Sequence, residues 1–519
     1  MIHHLTVDTT TAKGTLKPVS DTICIWDFRD FDDGVFGTNC PDGWYKEQYP
    51  FVNYVIIMTF TGGRGYNEWY TEDENGIPRY DFTVPIRVLK NVLRQKVKPI
   101  VVIGGTPSAL SVAPEDGGDS CEWGNRGRPS DYGKYYDYIL AFGQTLMANF
   151  GAAEIKTWKF RVGTEMDNLS WWVDSEEEYY KLYDFTADAL EKAFGRENLY
   201  IAPTNLLFVE NWPSMLAHCA RGLNACTGLI GAPCDFYSIS YYTDAPALGD
   251  LRGKIELMKT RVAEVKELNI QEINVGEGQF LYDGTPFGAN QPHRLKMAQV
   301  GTEHGASYQA ALFALCQESD LSSFANWAYN CDFKHTNEPM LRTPAFHAAN
   351  LLSQIHGNLL ESSGTVSWDG GQVGVCAAID QNTVYAAIFY HGEEWEGEQQ
   401  ELSLCVNGLP WESLRVTKYI VDRCHSNFYT QWLADSKEIT RMETPVDIGV
   451  LGSFVETEVS MTLSEQDREF WRAKKAKYAD ISSNPFSTIT IETTQNGAWT
   501  AHCQIDGHGL VMFKLEPQE

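Results

Sequence analysis

No apolar run in this 519-residue chain approaches the roughly 18 residues that a spanning helix needs, so no transmembrane helix is expected. The first twenty residues lack a basic stretch followed by an apolar one, so no secretory leader is visible and a cytoplasmic setting is expected. Positive charge is scarce: 41 Lys and Arg stand against 69 Asp and Glu, a formal net charge of -28. Such a field repels phosphates and argues against nucleic acid and anionic membranes as partners. The 12 cysteines are scattered, with no C-x-x-C pair and no His-x-x-x-His element, so the expectation is buried, reduced thiols and no metal. His3 and His4 are adjacent, which is poor ligand geometry on a strand. Thr61-Gly-Gly-Arg-Gly lacks the Lys-Ser/Thr ending of a phosphate-cradling loop. No cofactor is expected, and no internal repeat or low-complexity tract occurs.

What the chain does have is a large core and a regular rhythm. Hydrophobic residues make up 43% and aromatics 13%, and the length calls for more than one domain. Strand-like runs are expected at 22–28, 54–60, 98–105, 158–165, 199–206, 236–242, 272–280 and 323–330. Amphipathic stretches at 84–96, 132–150, 175–194, 254–268 and 307–318 separate them. Ser175 and Glu178 form a capping-box signature. Eight strands with helical crossovers predict a (β/α)8 barrel over residues 21–356. Beyond Leu352 short alternating runs predict an antiparallel β-sandwich over 357–519, interrupted by a helical insertion at 464–478. Residues 1–20 are too short for a domain and are expected to add a strand to the sandwich.

Two glutamates carry the chemistry. Glu165 closes the apolar run 158–165, and Glu277 stands between Gly276 and Gly278 near the end of the run 272–280. These are the fourth and seventh strand candidates, and barrel enzymes do chemistry at the C-terminal ends of their strands. A pair of carboxyls converging on one mouth can protonate a leaving group and attack an anomeric carbon, the equipment of a retaining glycosidase. Trp327 on the eighth strand is a candidate floor for a sugar ring. Tyr241 and Tyr242, ending the sixth, are candidate hydrogen-bond donors to the nucleophile. Interior packing is the competing reading for all three aromatics.

The order Tyr80-Asp81-Phe82, Lys98-Pro99-Ile100-Val101, residues 160–165 (Phe-Arg-Val-Gly-Thr-Glu), residues 178–183 (Glu-Tyr-Tyr-Lys-Leu-Tyr) and Pro233-Cys234-Asp235-Phe236 resembles glycoside hydrolase family 39, which includes β-xylosidases and α-L-iduronidases. The stretches 273–277, 324–327 and 343–352 continue the likeness, and the tail 471–515 is similar to the closing sandwich of bacterial β-xylosidases. The resemblance implies a retaining mechanism with Glu165 as acid/base and Glu277 as nucleophile, and an oligosaccharide or glycoside as substrate. It also implies departures. The Asn that usually precedes the acid/base is Thr164 here, followed by Met166-Asp167-Asn168. Histidines usual after the sixth and second strands are replaced near Tyr241 and near Phe60 or Thr61. Thr164, Asn168, Tyr241, Tyr242, Trp327 and Phe60 are therefore the expected substrate-binding residues, in an altered site for the sugar that is cleaved. The alternatives are a sugar-binding barrel without hydrolysis, or a glycosidase for an arabinoside, galactoside or uronide. Self-association into a homo-oligomer stays open.

Overall fold

The parallel strands begin where the apolar runs begin, and the runs alternate in the direction they face. In this computed structural model every residue is described except 1, 20, 26–27, 35, 59, 63–67, 113–124, 244–249, 281–301, 328–331, 334–340, 369, 393–396, 436–464 and 519. The barrel strands are β1 (Thr22–Ile25), β2 (Tyr54–Ile57), β3 (Lys98–Ile103), β4 (Lys159–Val162), β5 (Ile201–Ala202), β6 (Phe236–Thr243), β7 (Glu272–Phe280) and β8 (Ser323–Trp327). Each pairs in parallel with its neighbours, β8 returns to β1, and a Leu206–Ile239 bridge joins the β5 side to β6. Ile56, Ile100, Val102, Cys24 and Ala325 fill the inside of the ring. Val55, Ile57, Val101, Ile103, Phe160 and Val162 belong to the larger core packed with the helices. A strand buried on both faces needs apolar residues at every position, which is why these runs are continuous rather than alternating.

Helices at Thr83–Arg94, Tyr132–Phe150, Glu176–Phe194, Met215–Arg221, Leu251–Ala263 and Glu303–Glu318 form the crossovers, and Pro344–Leu352 follows β8. Ser175 Oγ accepts from Glu178 N–H at 3.3 Å, but Glu178 does not complete the box: its carboxylate accepts from Tyr132 OH at 3.0 Å. The C-terminal insertion is a helix over Glu465–Ser483.

Apart from two short two-stranded ribbons, Tyr70–Glu72 with Pro78–Tyr80 and Asp332–Phe333 with Leu341–Arg342, the remaining strands form one ten-stranded sheet curled around its own core of Leu5, Val7, Val375, Ile388, Leu404, Val416, Trp499 and Leu515. The sheet is mixed rather than purely antiparallel. The N-terminal strand Ile2–Thr15 lies antiparallel to Asn358–Ser363 and parallel to Gln400–Asn407. Hairpins force antiparallel pairing only on strands that follow one another closely, and this strand is hundreds of residues from both neighbours. Ala306, Ala310, Phe313 and Ala314 of the Glu303–Glu318 helix pack against Cys376, Ala387, Phe389 and Met512 of the sheet, so one helix serves both units.

Candidate active site

β4 ends at Val162, and the next three residues turn the chain sharply. Gly163 has φ +80°, and a Cβ there would collide with Met166. Glu165 has φ +45°, in the left-handed region that L side chains seldom adopt. The turn is held by Glu165 N–H donating to Asn205 O at 3.0 Å and by Asn168 N–H donating to Glu165 O at 2.8 Å. A glutamate kept in a strained conformation by its surroundings is a mark of function.

On β7 the pairing with β6 slips between Val275 and Glu277, placing Glu277 opposite Ser240. The bulge re-aims the glutamate side chain. Gly276 is required because a Cβ would collide with Ser238 and Arg161, and one on Gly278 would meet Phe324 and the Tyr241 carbonyl. Ser240 also hydrogen-bonds to the Glu165 carboxyl, so it touches the acid on β4 while standing opposite the one on β7. Asn205 in turn donates to Ser240 Oγ at 2.6 Å.

The two carboxyls are buried and interact. Burial foremost, then the negative charge of Glu277, pushes Glu165 up to about 8, against hydrogen bonds from Ser240 and Asn168. Burial also raises Glu277, but the Tyr242 hydroxyl and the Arg161 guanidinium both oppose the rise. One proton shared by such a pair rests on the carboxyl with the weaker support for its charge, which is Glu165. Glu277 Oε1 accepts from Tyr242 OH at 2.5 Å, while Oε2 is buried with no partner among the described residues.

Tyr242 and Asn168 thus join the pair. Tyr241 does not: its hydroxyl donates to Asp250 at 2.7 Å, on the helix side of the sheet. Phe60 is in the core, edge-on to Phe28 and Phe142, because β2 has already ended at Ile57. Thr164 Oγ1 is turned beneath the pair, accepting from Arg161 at 2.6 Å and directed at Met58 Sδ. Trp327 ends β8, and its side chain lies outside the described residues.

Arg161, Ser240 and Asn205 are the residues that sequence reasoning passed over. Arg161 is a fully buried cation whose guanidinium also donates to Gly276 O and Gly163 O. An arginine flanked by Phe160 and Val162 in the middle of a buried parallel strand was the available signal, since unpaired charge is almost never buried.

His304, His391 and His508 offer ring nitrogens within 4.8 Å of one another at the seam between barrel helix and sheet. His508 Nδ1 already accepts from Gly392 N–H, while His304 Nε2 donates to Gly392 O. A neutral ring has one lone pair, so His508 has none left for an ion without giving up that bond. The parallel stack of His304 on His508, 4.0 Å apart, also sends their in-plane nitrogens side by side rather than to one point. His304 and His508 clamp the Gly392 backbone, and His391 Nδ1 shares a hydrogen bond with Ser307 Oγ at 2.7 Å.

The profile of glycosyl hydrolases family 39 matches residues 67–438. The chain belongs to that family. A β-xylosidase from Geobacillus stearothermophilus is 24% identical over 387 residues, covering 68% of this chain and 70% of that protein. A monomeric β-xylosidase from Caulobacter crescentus CB15 superposes with TM-score 0.70 at 15% identity over the whole of both chains. A bacterial orthologue of human α-L-iduronidase gives TM-score 0.70 at 14% identity, covering this chain fully and 84% of its own. This family 39 protein is a glycoside hydrolase with the barrel-and-sandwich architecture of these structures. Among its described residues no helix is long and apolar enough to cross a membrane.

Proposed function

We propose that this family 39 enzyme is a retaining exo-glycosidase in which Glu277 is the nucleophile and Glu165 the acid/base. The observation that carries the reading is the asymmetry of the pair. Glu277 has one oxygen held by Tyr242, the Arg161 cation nearby, and a second oxygen buried without a partner among the described residues. Glu165 is raised by burial and by the charge of Glu277, and neither a cation nor a tyrosine is among the groups that oppose the rise. In the first step Glu277 Oε2 bonds to the anomeric carbon as the glycosidic bond breaks, and Glu165 gives its proton to the departing oxygen. In the second, Glu165 takes a proton from water, the water oxygen bonds to the same carbon, and Glu277 leaves as carboxylate.

The sugar is proposed to differ from plain β-xyloside. The Thr164 hydroxyl is engaged by Arg161, so the contact that an Asn at this position makes with a sugar 2-hydroxyl has no direct counterpart in that side chain. A pentoside other than xylose, or a hexoside, fits this reading. A 2-fluoroglycoside of the preferred sugar tests the assignment: one sugar mass should appear on the peptide holding residues 272–280. Label on any other carboxylate overturns it, and aryl β-xyloside leading a panel of nitrophenyl glycosides by tenfold in kcat/KM overturns the sugar reading.

A further inference from the structure

The acid delivers its proton to the leaving-group oxygen, so the leaving group lies over the loop that follows Glu165. The composition of that rim is unusual. Leu169 is 73% exposed, Phe208 54% and Val173 45%, three large apolar side chains presented to solvent around one acid. They are held there rather than loosely draped. Asp167, two residues after Glu165, accepts from Leu207 N–H at 2.8 Å, from Phe208 N–H at 3.4 Å and from Asn211 Nδ2 at 2.8 Å, tying the two loops together. Arg126 donates to Leu169 O at 3.3 Å and its own carbonyl accepts from Val173 N–H at 3.1 Å, fixing the other side.

We infer that this rim is a binding site for an apolar leaving group, so that the enzyme acts on glycosides of aromatic or aliphatic alcohols in preference to a second sugar. The inference rests on Glu165 being the acid/base, since that fixes the side on which the leaving group sits. A sugar there would need hydrogen-bonding partners for its hydroxyls, and Leu169 and Val173 offer none; Phe208 alone suits either. Apolar side chains exposed in a cluster next to a reacting group are more economically explained by an apolar ligand than by chance.

Binding of thioglycosides tests this without requiring turnover. Methyl and hexyl 1-thio-β-D-xylopyranoside, the matching glucopyranosides, and S-linked thioxylobiose are titrated calorimetrically into the full-length enzyme. Each methylene buried at the rim should tighten binding ~2- to 3-fold, so hexyl should bind ~30-fold or more tighter than methyl. The Leu169→Ser/Phe208→Ser double variant, and separately Leu169→Ala, should bring that ratio down toward one. A wild-type hexyl-to-methyl ratio within twofold overturns the inference, as does a ratio unchanged in both variants, or thioxylobiose binding tighter than hexyl. Failure of the acid/base assignment shows differently: Glu165→Ala would then slow poor and activated leaving groups alike, and azide would not restore turnover, whatever the thioglycoside ratio.

Discussion

Replacing Glu165 by Gln should make the protein more stable, and more so as pH rises. A carboxyl raised from 4.5 to about 8 keeps its proton in the fold at pH values where the unfolded chain releases it. Below pH 4.5 both states hold the proton and nothing is lost. Between there and about pH 8 the unfolded state gains ionisation free energy that the folded state does not, so stability falls with rising pH through that window. At pH 7 the cost is on the order of 3 kcal/mol, from 2.5 pH units at about 1.4 kcal/mol each. Gln has the same shape, can keep the Ser240 and Asn168 contacts, and cannot ionise. If the barrel melts as one unit, the melting temperature of the Gln variant at pH 7 should exceed that of the parent by roughly 4 °C, measured at one scan rate. At pH 5 the difference should shrink to under about 1 °C. A gap that is the same at pH 5 and 7.5, or a variant less stable at pH 7.5, would refute the reasoning. Turnover is lost in exchange, the usual relation between a buried reactive group and the stability of its scaffold.

Three other outcomes follow from the site. Tyr242→Phe removes the hydrogen bond that favours ionised Glu277, so kcat/KM should drop ~10- to 100-fold and the acidic limb of its pH profile should move upward; an unmoved limb would detach Tyr242 from the nucleophile. Arg161→Met removes the cation beneath the pair and should move the same limb in the same direction, with Arg161→Lys restoring part of it; since the site also loses four hydrogen bonds, circular dichroism must confirm the fold. Chelation with EDTA should leave turnover unchanged, whereas loss reversed by zinc would assign an ion to His304, His391 and His508 against the lone-pair argument.

The barrel was legible because buried parallel strands write themselves as unbroken apolar runs, and both glutamates stood at the ends of such runs. The sheet was legible as alternation and its antiparallel hairpins with it, but the parallel pairing of Ile2–Thr15 with Gln400–Asn407 was not, since pairing across hundreds of residues leaves no local mark. The finer site was harder for reasons of parity. Whether Tyr241 or Tyr242 meets Glu277 depends on a bulge between Val275 and Glu277, and a one-residue slip exchanges the two faces of a strand. Phe60 was assigned to the mouth on a strand that in fact stops three residues earlier. Ser240 carries no local signal, because its role depends on the strand opposite it. Thr164 was judged by its neighbours in sequence, whereas the partner that turns its hydroxyl is Arg161, three residues earlier on β4.

The N-terminal strand has a consequence for synthesis. It is made before the whole barrel, yet the partners on either side of it are residues 358–363 and 400–407. At a synthesis rate of about 5–20 residues per second, it waits roughly 20–80 s with both edges unpaired while the entire barrel emerges. An unpaired edge during that interval is a template for pairing with another nascent chain. Once inserted, it fastens the finished molecule a second time: the chain crosses between barrel and sheet both at 16–21 and at 353–357. A protease that cuts only the later crossing leaves two fragments still joined by the earlier strand, so they should travel as one particle until the sheet itself is denatured.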